Sequence, residues 1–360
     1  MIIKNLTLHN FRNYADETFL FDEGINVLSG RNAQGKTNCA EAVFYLCTGT
    51  SLRIRHDRQL IRLGEKSAYL GAEVSTKYGG VKLEATILEN GRELKVNSCK
   101  VSRSVDFIGN MRSVFFSPGE LRIVQDGPDE RRRFLNLCIS QTSQVYALAL
   151  LRYNKILDQR NNLLKERDYS VILSTLPVWD EQLALSAATI ISCRNRFLKK
   201  LSPLAEDSHK FLTDGLETLS IGYDSDYPEE ESEIAKKLQG ELERAYERDM
   251  KLGFTTVGPH RDDIKISIGG IDARGFASQG QTRTAALSLK LAQMEIFREL
   301  SGESPVLILD DVMSELDLPR RKKLIERTQG VQCILTCTHA EKLLIGKNMK
   351  KFKIKEGKIV

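Results

Sequence analysis

The eight residues GRNAQGKT, from Gly30 to Thr37, constrain the fold of this chain more than any other stretch. They match the phosphate-loop pattern GxxxxGK[ST] at every fixed position. An apolar strand pattern over residues 25–28 precedes the loop, and a helical pattern with Ala40 and Val43 on one face follows it. A strand, a glycine-rich loop and a helix in this order predict an α/β nucleotide-binding core.

The loop composition has a direct chemical reading. Glycines let successive backbone N–H groups turn towards phosphates, and the helix that follows adds its positive N-terminus. Lys36 is expected to reach the β and γ phosphates, and the Thr37 hydroxyl to hold Mg²⁺. The predicted nucleotide-binding residues are Gly30, Arg31, Asn32, Ala33, Gln34, Gly35, Lys36 and Thr37.

Two carboxylates follow a second apolar run, VLILDD, at residues 306–311. In phosphate-loop enzymes an aspartate at the carboxyl end of a neighbouring parallel strand completes the Mg²⁺ shell. Asp310 suits that position, and Asp311 is then placed to orient or deprotonate the attacking water. The sequence therefore predicts Thr37 and Asp310 as metal ligands and Asp311 as a catalytic residue.

Composition restricts the class of protein without identifying it. The chain has 360 residues with 41% hydrophobic and 28% charged residues, which is ordinary for a globular protein with a proper core. Its net charge of +5 is compatible with nucleic acid but too small to imply it. We find no secretory signal pattern and no apolar run long enough to span a bilayer, so a cytoplasmic location without membrane contact is expected.

The order of the patterns suggests an interrupted domain. Strand alternation dominates the first part, with an antiparallel sheet over residues 67–100 and a hairpin turn at Asn90–Gly91. Helical patterns then run from Pro128 to about residue 167, from 179 to about 200 and from 229 to about 251, with an acidic loop before the last. We predict an ATPase domain formed by residues 1–140 and 252–360, with a mostly helical insertion at 141–251.

Four further motifs give the chain a family resemblance. Ser278-Gln279-Gly280-Gln281 resembles the signature loop of ABC-type ATPase heads, Ser314 to Asp317 resembles their D-loop, and His339 resembles their switch histidine. About 240 residues separate the phosphate loop from the signature, a layout similar to chromosome-maintenance and double-strand-break-repair heads. With HNFRNY before the loop, FSPGEL, GPDERRRFL and VGPHRDD, the whole chain resembles the RecF family of bacterial recombination mediators.

This resemblance implies a function that depends on two copies of the chain. In ABC-type ATPases each nucleotide lies between the phosphate loop of one head and the signature loop of the other, so Ser278, Gln279, Gly280 and Gln281 would act in trans. A helix entrance offers N–H donors and a positive dipole end to a γ-phosphate. Ser278 also fits the simpler description of a helix cap. The resemblance implies ATP and Mg²⁺ as cofactors, an ATP-dependent homodimer, and roles for Ser314 and Asp317.

The resemblance further implies recombinational DNA repair and replication. Its members bind duplex DNA and single-strand/duplex junctions and help to load the recombinase with RecR, directly or through a RecO/RecR complex, on the nucleoid. Two departures concern the chemistry. Asp311 stands where ABC heads usually have glutamate, so slow ATP hydrolysis is expected, and the resemblance implies that it depends on DNA. Residues 114–118, which resemble the Q-loop, contain no glutamine.

DNA-contact residues are indicated only by a local excess of arginine. Arg53, Arg55, Arg58 and Arg62 lie just past the helix of the phosphate loop, where they would contact DNA phosphates in a salt-sensitive way. A solvated arginine face is the competing interpretation.

Two other functions remain as alternatives. One is the nucleotide-binding subunit of a transporter, and the other is a non-catalytic scaffold of the chromosome-maintenance type. The long segment between the motifs argues against the first, and the lack of sustained heptads argues against the second.

Overall fold

The structure is a computed structural model that describes residues 1–54, 56–166, 169–223, 226–338 and 349–360. These parts of the chain form three sheets and a set of helices. The strands, in chain order, are β1 (Ile2–Phe11), β2 (Tyr14–Leu20), β3 (Ile25–Ser29), β4 (Ser67–Thr76), β5 (Gly79–Leu88), β6 (Gly91–Val96), β7 (Cys99–Lys100), β8 (Ser113–Phe116), β9 (Leu219–Tyr223), β10 (Ile264–Ile268), β11 (Ile271–Asp272), β12 (Val306–Asp310), β13 (Cys333–Cys337), β14 (Met349–Lys355) and β15 (Lys358–Ile359).

The helices include one of 44 residues and several of a single turn. In chain order they are α1 (Lys36–Thr48), α2 (Ser104–Phe107), α3 (Arg122–Gln125), α4 (Pro128–Ser140), α5 (Gln144–Leu163), α6 (Tyr169–Leu212), α7 (Glu231–Leu252), α8 (Ala273–Phe276), α9 (Gln279–Ser301) and α10 (Leu318–Arg327). None of the helices in the described ranges is both long and apolar enough to cross a membrane.

The first sheet is the antiparallel sheet that the alternating pattern predicts. Its order is β2-β1-β4-β5-β6-β7. Leu88 pairs with Gly91, so the two-residue turn is Glu89–Asn90, one position earlier than expected. Buried residues alternate with partly exposed ones in β5, at Leu83, Ala85 and Ile87, because one face of the sheet packs on the core and the other does not.

The core sheet has the order β15-β14-β3-β13-β12-β8, and all its pairings except β14–β15 are parallel. Its central strands are buried on both faces, which explains their continuous apolar runs. Successive residues of β12 enter different clusters: Val306 and Ile308 pack with α1 and the antiparallel sheet, while Leu307 and Leu309 pack with α6 and α9. The phosphate loop thus leaves the carboxyl edge of a sheet held between two apolar layers.

The helical region differs from the prediction in its boundaries. The helix predicted from Pro128 onwards is interrupted between α4 and α5, and α6 extends well beyond the predicted 179–200 range at both ends. Pro177 and Pro203 lie inside α6, although an interior proline normally ends or kinks a helix. The segment predicted as an acidic loop contains β9, which pairs antiparallel with β10 beyond the predicted insertion.

Two sequence motifs of the head also meet in space. Arg131 of α4 is buried and makes a two-pronged ion pair with Asp263, at 2.6 and 2.8 Å. The neighbouring Arg132 donates to the backbone oxygen of Asp262 at 2.6 Å. The GPDERRRFL and VGPHRDD motifs are therefore two halves of one contact between α4 and the segment before β10. The division at residues 141 and 251 stays a prediction, because apolar residues on both sides of it share one cluster.

Candidate nucleotide-binding site

The phosphate loop joins β3 to α1 and depends on two glycines. Gly30 has φ 155°, and a Cβ there would lie 2.3 Å from the carbonyl oxygen of Ile354 in β14. Gly35 has φ 119°, and its Cβ would lie 2.8 Å from the side-chain amide of Asn13. Only glycine fits both positions, because neighbouring chain segments pack directly against the backbone.

Lys36 points back over its own loop. Its Nζ donates to the carbonyl oxygens of Gly30 and Arg31, at 2.7 and 2.8 Å, although the side chain is largely buried. Burial lowers the pKa of the Lys36 ammonium, and the nearby Asp311 and Asp310 carboxylates oppose that shift. The ammonium therefore lies inside the curve of the loop, where a phosphate would meet it.

Asp310 ends β12 beside the first turn of α1. Its Oδ1 accepts hydrogen bonds from Thr37 Oγ1 at 2.9 Å and from Thr336 Oγ1 of β13 at 2.7 Å. Burial raises the pKa of the Asp310 carboxyl, and the two hydroxyl donors only partly offset that effect. A buried carboxylate beside a hydroxyl is the donor set that a hard cation such as Mg²⁺ prefers, so these residues fit the predicted metal site.

Asp311 adopts a backbone conformation that is uncommon for a residue with a side chain. Its φ is 57°, and its N–H donates to Thr336 Oγ1 at 3.0 Å. Ser314 of the D-loop donates from Oγ to the backbone oxygen of Asp311 at 2.8 Å. Left-handed backbone at a non-glycine residue often marks a functional site, and aspartate tolerates it better than most residues. Asp311 itself is exposed at the end of the strand.

The signature loop forms the N-terminus of α9 as a capping box. The Gln281 N–H donates to Ser278 Oγ at 3.2 Å, and the Ser278 N–H donates to Gln281 Oε1 at 2.9 Å. Ser278, Gln279 and Gly280 are exposed. Within the described ranges no hydrogen bond or ion pair joins residues 278–281 to residues 30–37 of the same chain. Ser278 is thus a helix cap, and its loop is open to solvent.

The D-loop lies between Asp311 and α10. Asp317 caps α10 by accepting from the Arg320 N–H at 2.9 Å. Glu315 forms an ion pair with Arg283 of the signature helix α9. The D-loop is therefore tied on one side to the residue after Asp310 and on the other to the helix that carries the signature.

The predicted switch histidine, His339, lies outside the described residues, as does Arg55. Arg58 is exposed and Arg62 partly so. Arg53 is also exposed, and it lies beside α1, since its guanidinium is 3.3 Å from Asn38 Oδ1 and 3.9 Å from Glu41 Oε2. Its charge also lowers the pKa of Asp310, although burial keeps that pKa raised overall.

A second layer of residues supports the loop and was not assigned a role from sequence. Arg12 makes a two-pronged ion pair with Glu41 of α1, with both distances 3.0 Å. Asn13 Nδ2 donates to the Gln34 oxygen at 2.9 Å, and the Tyr14 hydroxyl donates to the Gly35 oxygen at 2.9 Å. Arg12, Asn13 and Tyr14 all belong to the HNFRNY motif. Glu41 could have been noticed in the sequence as a charged residue inside the otherwise apolar pattern of α1.

Comparison with known proteins gives matches over almost the whole chain. The family model described as the RecF/RecN/SMC N-terminal domain matches residues 2–359. A DNA replication and repair protein RecF from Lachnoclostridium phytofermentans is 41% identical over 96% of this chain and 94% of its own length. The corresponding Clostridium acetobutylicum protein is 40% identical, with 94% and 93% covered.

Solved structures agree with the sequence comparison. The recombination mediator protein RecF–ATPrS of the RecFOR pathway superposes with a TM-score of 0.91 at 38% identity, covering 99% of this chain and 97% of that one. An Smc head bound to the C-winged helix domain of ScpA gives a TM-score of 0.59 at 14% identity, covering 100% and 97%, which concerns the fold alone. The predicted fold class, an α/β ABC-type head with an antiparallel sheet and an inserted helical part, is confirmed.

Proposed function

This chain belongs to the RecF/RecN/SMC N-terminal domain family, and from that premise we propose that it is an ATP-dependent DNA-binding protein of recombinational repair and replication. ATP drives two copies into a head-to-tail dimer on duplex or gapped DNA. The dimer assists recombinase loading with RecR, directly or through a RecO/RecR complex, in the cytoplasm on the nucleoid. Support comes from the similar solved protein, which is described as a recombination mediator in the RecFOR pathway.

One observation carries the dimer proposal. Lys36, Thr37 and Asp310 are already assembled around the phosphate loop, whereas the Ser278 cap is exposed and makes no bond to that loop within the described chain. A second copy placed head to tail would bring its own Ser278 to the nucleotide of the first. ATP then links the two heads through its γ-phosphate, and loss of that phosphate releases them.

Lys36 binds the β and γ phosphates, and Thr37 and Asp310 hold Mg²⁺. The ion supplies positive charge next to the phosphate oxygens. Thr336 keeps the Asp310 carboxylate in place by donating to Oδ1. Thr37 donates to the same oxygen at 2.9 Å, so the two side chains are close enough that both would bind one cation.

Asp311 orients the attacking water, with His339 as the second catalytic residue. An aspartate reaches one methylene less far than the glutamate usual in ABC heads, so we propose weak, DNA-dependent ATPase activity suited to a switch. The exposed carboxylate and its left-handed backbone support this assignment. Ser314 and Asp317 shape the D-loop that adjoins it.

DNA binding is proposed for the arginine segment after α1. Arg58 and Arg62 present charge to solvent to different degrees, and Arg55 belongs to the same run. Arg53 lies between this segment and Glu41 of α1. It is therefore placed to contact a DNA phosphate close to the nucleotide site. Affinity should fall steeply with salt, because contacts of this kind release counterions from DNA.

The test uses two variants that damage opposite halves of the composite site. Lys36→Ala should lose ATP binding, and Ser278→Arg should bind ATP as a monomer yet fail to pair. When the two are mixed, one of the two sites combines an intact phosphate loop with an intact signature loop. The mixture should therefore recover part of the DNA-dependent ATPase activity, although each variant alone has none.

A mixture with no more activity than the separate variants would contradict action in trans. Normal ATP-dependent dimerisation of the Ser278→Arg variant alone would also contradict action in trans. Wild-type protein mixed with either variant serves as the control for subunit exchange.

A further inference from the structure

The signature loop is held from the side by a residue of the predicted helical insertion. Gln281 uses both ends of its side-chain amide: Oε1 accepts from the Ser278 N–H, and Nε2 donates to Glu217 Oε1, each at 2.9 Å. A carboxylate offers only acceptors, so it must face the NH₂ end of the Gln281 amide. Glu217 thereby directs the amide oxygen to Ser278 and selects the orientation that closes the capping box.

Glu217 lies beside the end of the long helix α6. It lies in the connection between α6 and β9, with its side chain about 30% exposed. Its second oxygen, Oε2, is 3.4 Å from Nε2 of His209, which is fully buried in the last turn of α6. The other ring nitrogen of His209 is 3.2 Å from Ser288 Oγ on α9.

The signature helix α9 therefore contacts α6 at one place and the connection that follows α6 at another. Ser288 packs against His209 inside the core, and Gln281 meets Glu217 at the rim. Ser288 Oγ also donates to the Thr284 oxygen at 2.7 Å, and Thr284 Oγ1 donates to the Gly280 oxygen at 2.9 Å. Polar contacts thus run without a break from the end of α6 to the signature loop.

We propose that Glu217 is a positioning residue for the signature loop, through which the inserted helical segment sets the shape that the loop presents to a second copy of the chain. This proposal rests on the function proposed above, in which Ser278 acts on the nucleotide of the partner head. Without Glu217 the Gln281 amide is free to turn away, and the Ser278 N–H loses its acceptor. The phosphate loop of the same chain has no part in these contacts.

The test separates pairing from nucleotide binding. The ATP concentration for half-maximal dimerisation is measured by sedimentation velocity, and the ATP affinity of the monomer is measured with a fluorescent ATP analogue at low protein concentration. Glu217→Ala should raise the first quantity on the order of ten-fold, as expected for loss of a charge-assisted hydrogen bond. Monomer affinity should change less than about two-fold, because the phosphate loop is untouched.

Two further variants define the mechanism. Glu217→Gln keeps an oxygen that can accept from Gln281 Nε2. Its amide also offers donors, so it no longer selects one orientation of Gln281, and this variant should restore only part of the pairing. Glu229→Ala removes a carboxylate that is 87% exposed and paired with Lys199 in the same predicted insertion, and should behave as wild type.

Each failure has a distinct meaning. If Glu217→Ala dimerises at wild-type ATP concentrations while Ser278→Arg cannot pair, the positioning role is wrong and the sandwich dimer survives. If Ser278→Arg also pairs, the proposed function itself fails. If Glu217→Ala loses thermal stability and monomer affinity together with pairing, and Glu217→Gln rescues nothing, the residue is only structural and the proposal is overturned.

Discussion

Asp310, the proposed metal ligand, is a buried carboxyl whose charged form lowers the stability of the fold. Its carboxylate is buried and its pKa is raised above the ordinary value of 3.8. A raised carboxyl pKa means that the folded protein prefers the neutral form, so this group stabilises the fold fully only below its ordinary pKa. That contribution is lost as the pH rises through the raised pKa.

Asp310→Asn should therefore make the nucleotide-free protein more stable at neutral pH, by about 1 kcal/mol. The amide oxygen still accepts from Thr37 and Thr336, while the buried charge is gone. The advantage should shrink as the pH falls through the raised pKa of the wild-type carboxyl, because the carboxyl then becomes neutral. Thermal unfolding in EDTA across this pH range measures the difference.

Saturating ATP and Mg²⁺ should reverse that order, because only the wild type gains the full binding free energy, about 2.7 kcal/mol at a hundred times the Kd. Asp16→Asn, at an exposed strand position, should change neither measurement. If nucleotide-free Asp310→Asn unfolds at a lower temperature than wild type, the buried charge of Asp310 does not destabilise the fold, and the prediction is wrong.

At the scale of elements, the hairpin of β14 and β15 packs against the phosphate loop and supports its backbone. The Gly357 N–H donates to the Gln34 oxygen at 2.9 Å, and a Cβ at Gly357 would lie 2.2 Å from the Asn13 oxygen. Asn13 donates to the same Gln34 oxygen. The hairpin and the turn between β1 and β2 therefore both donate a hydrogen bond to the Gln34 backbone oxygen of the loop.

Gly357→Ala should lower ATP affinity on the order of ten-fold, because the new methyl group displaces Asn13 and with it the loop. Gly330→Ala is the matched control: its φ is 74°, against 73° at Gly357, and no atom lies within 4 Å of the added Cβ. Both changes carry the strain of left-handed alanine, roughly 1 kcal/mol. Isothermal titration calorimetry of the monomer measures the ATP affinity of each variant. Equal affinities in the two variants would contradict a supporting role of the hairpin.

The elements also show where sequence patterns succeed. The strands β3, β12 and β13 are buried on both faces, so their apolar runs were unambiguous, and alternation identified the one-sided antiparallel sheet. The helix α6 was underestimated because Pro177 and Pro203 resemble helix ends. The short strand β9 was missed because its partner β10 lies some 40 residues later, and pairing over such distances leaves no local pattern.

The site was predictable in the same uneven way. Phosphate-loop residues and Asp310 follow from spacing, since each lies at a fixed offset from a strand or helix. Arg53 is exposed like the other arginines of its run, but the sequence does not reveal that Glu41 of α1 lies beside it. The Glu217–Gln281 contact joins residues 64 positions apart and depends on tertiary packing alone.

For the whole molecule, the central claim is that one chain carries half of each nucleotide site. The phosphate loop, Asp310 and Thr336 form one preassembled half. We propose that the exposed Ser278 cap, contacted from the connection after α6, forms the complementary half; within the described residues no hydrogen bond joins it to the phosphate loop. On this proposal the chain responds to ATP through its oligomeric state, and DNA bound across both copies would favour the same state.

The most direct test is sedimentation velocity on a labelled gapped duplex with ATP and then with ADP. We predict a dimer on DNA in ATP that separates in ADP, with Ser278→Arg remaining a monomer under both conditions. A wild-type protein that sediments as a monomer on and off DNA, whichever nucleotide is present, would contradict the claim that ATP joins two heads.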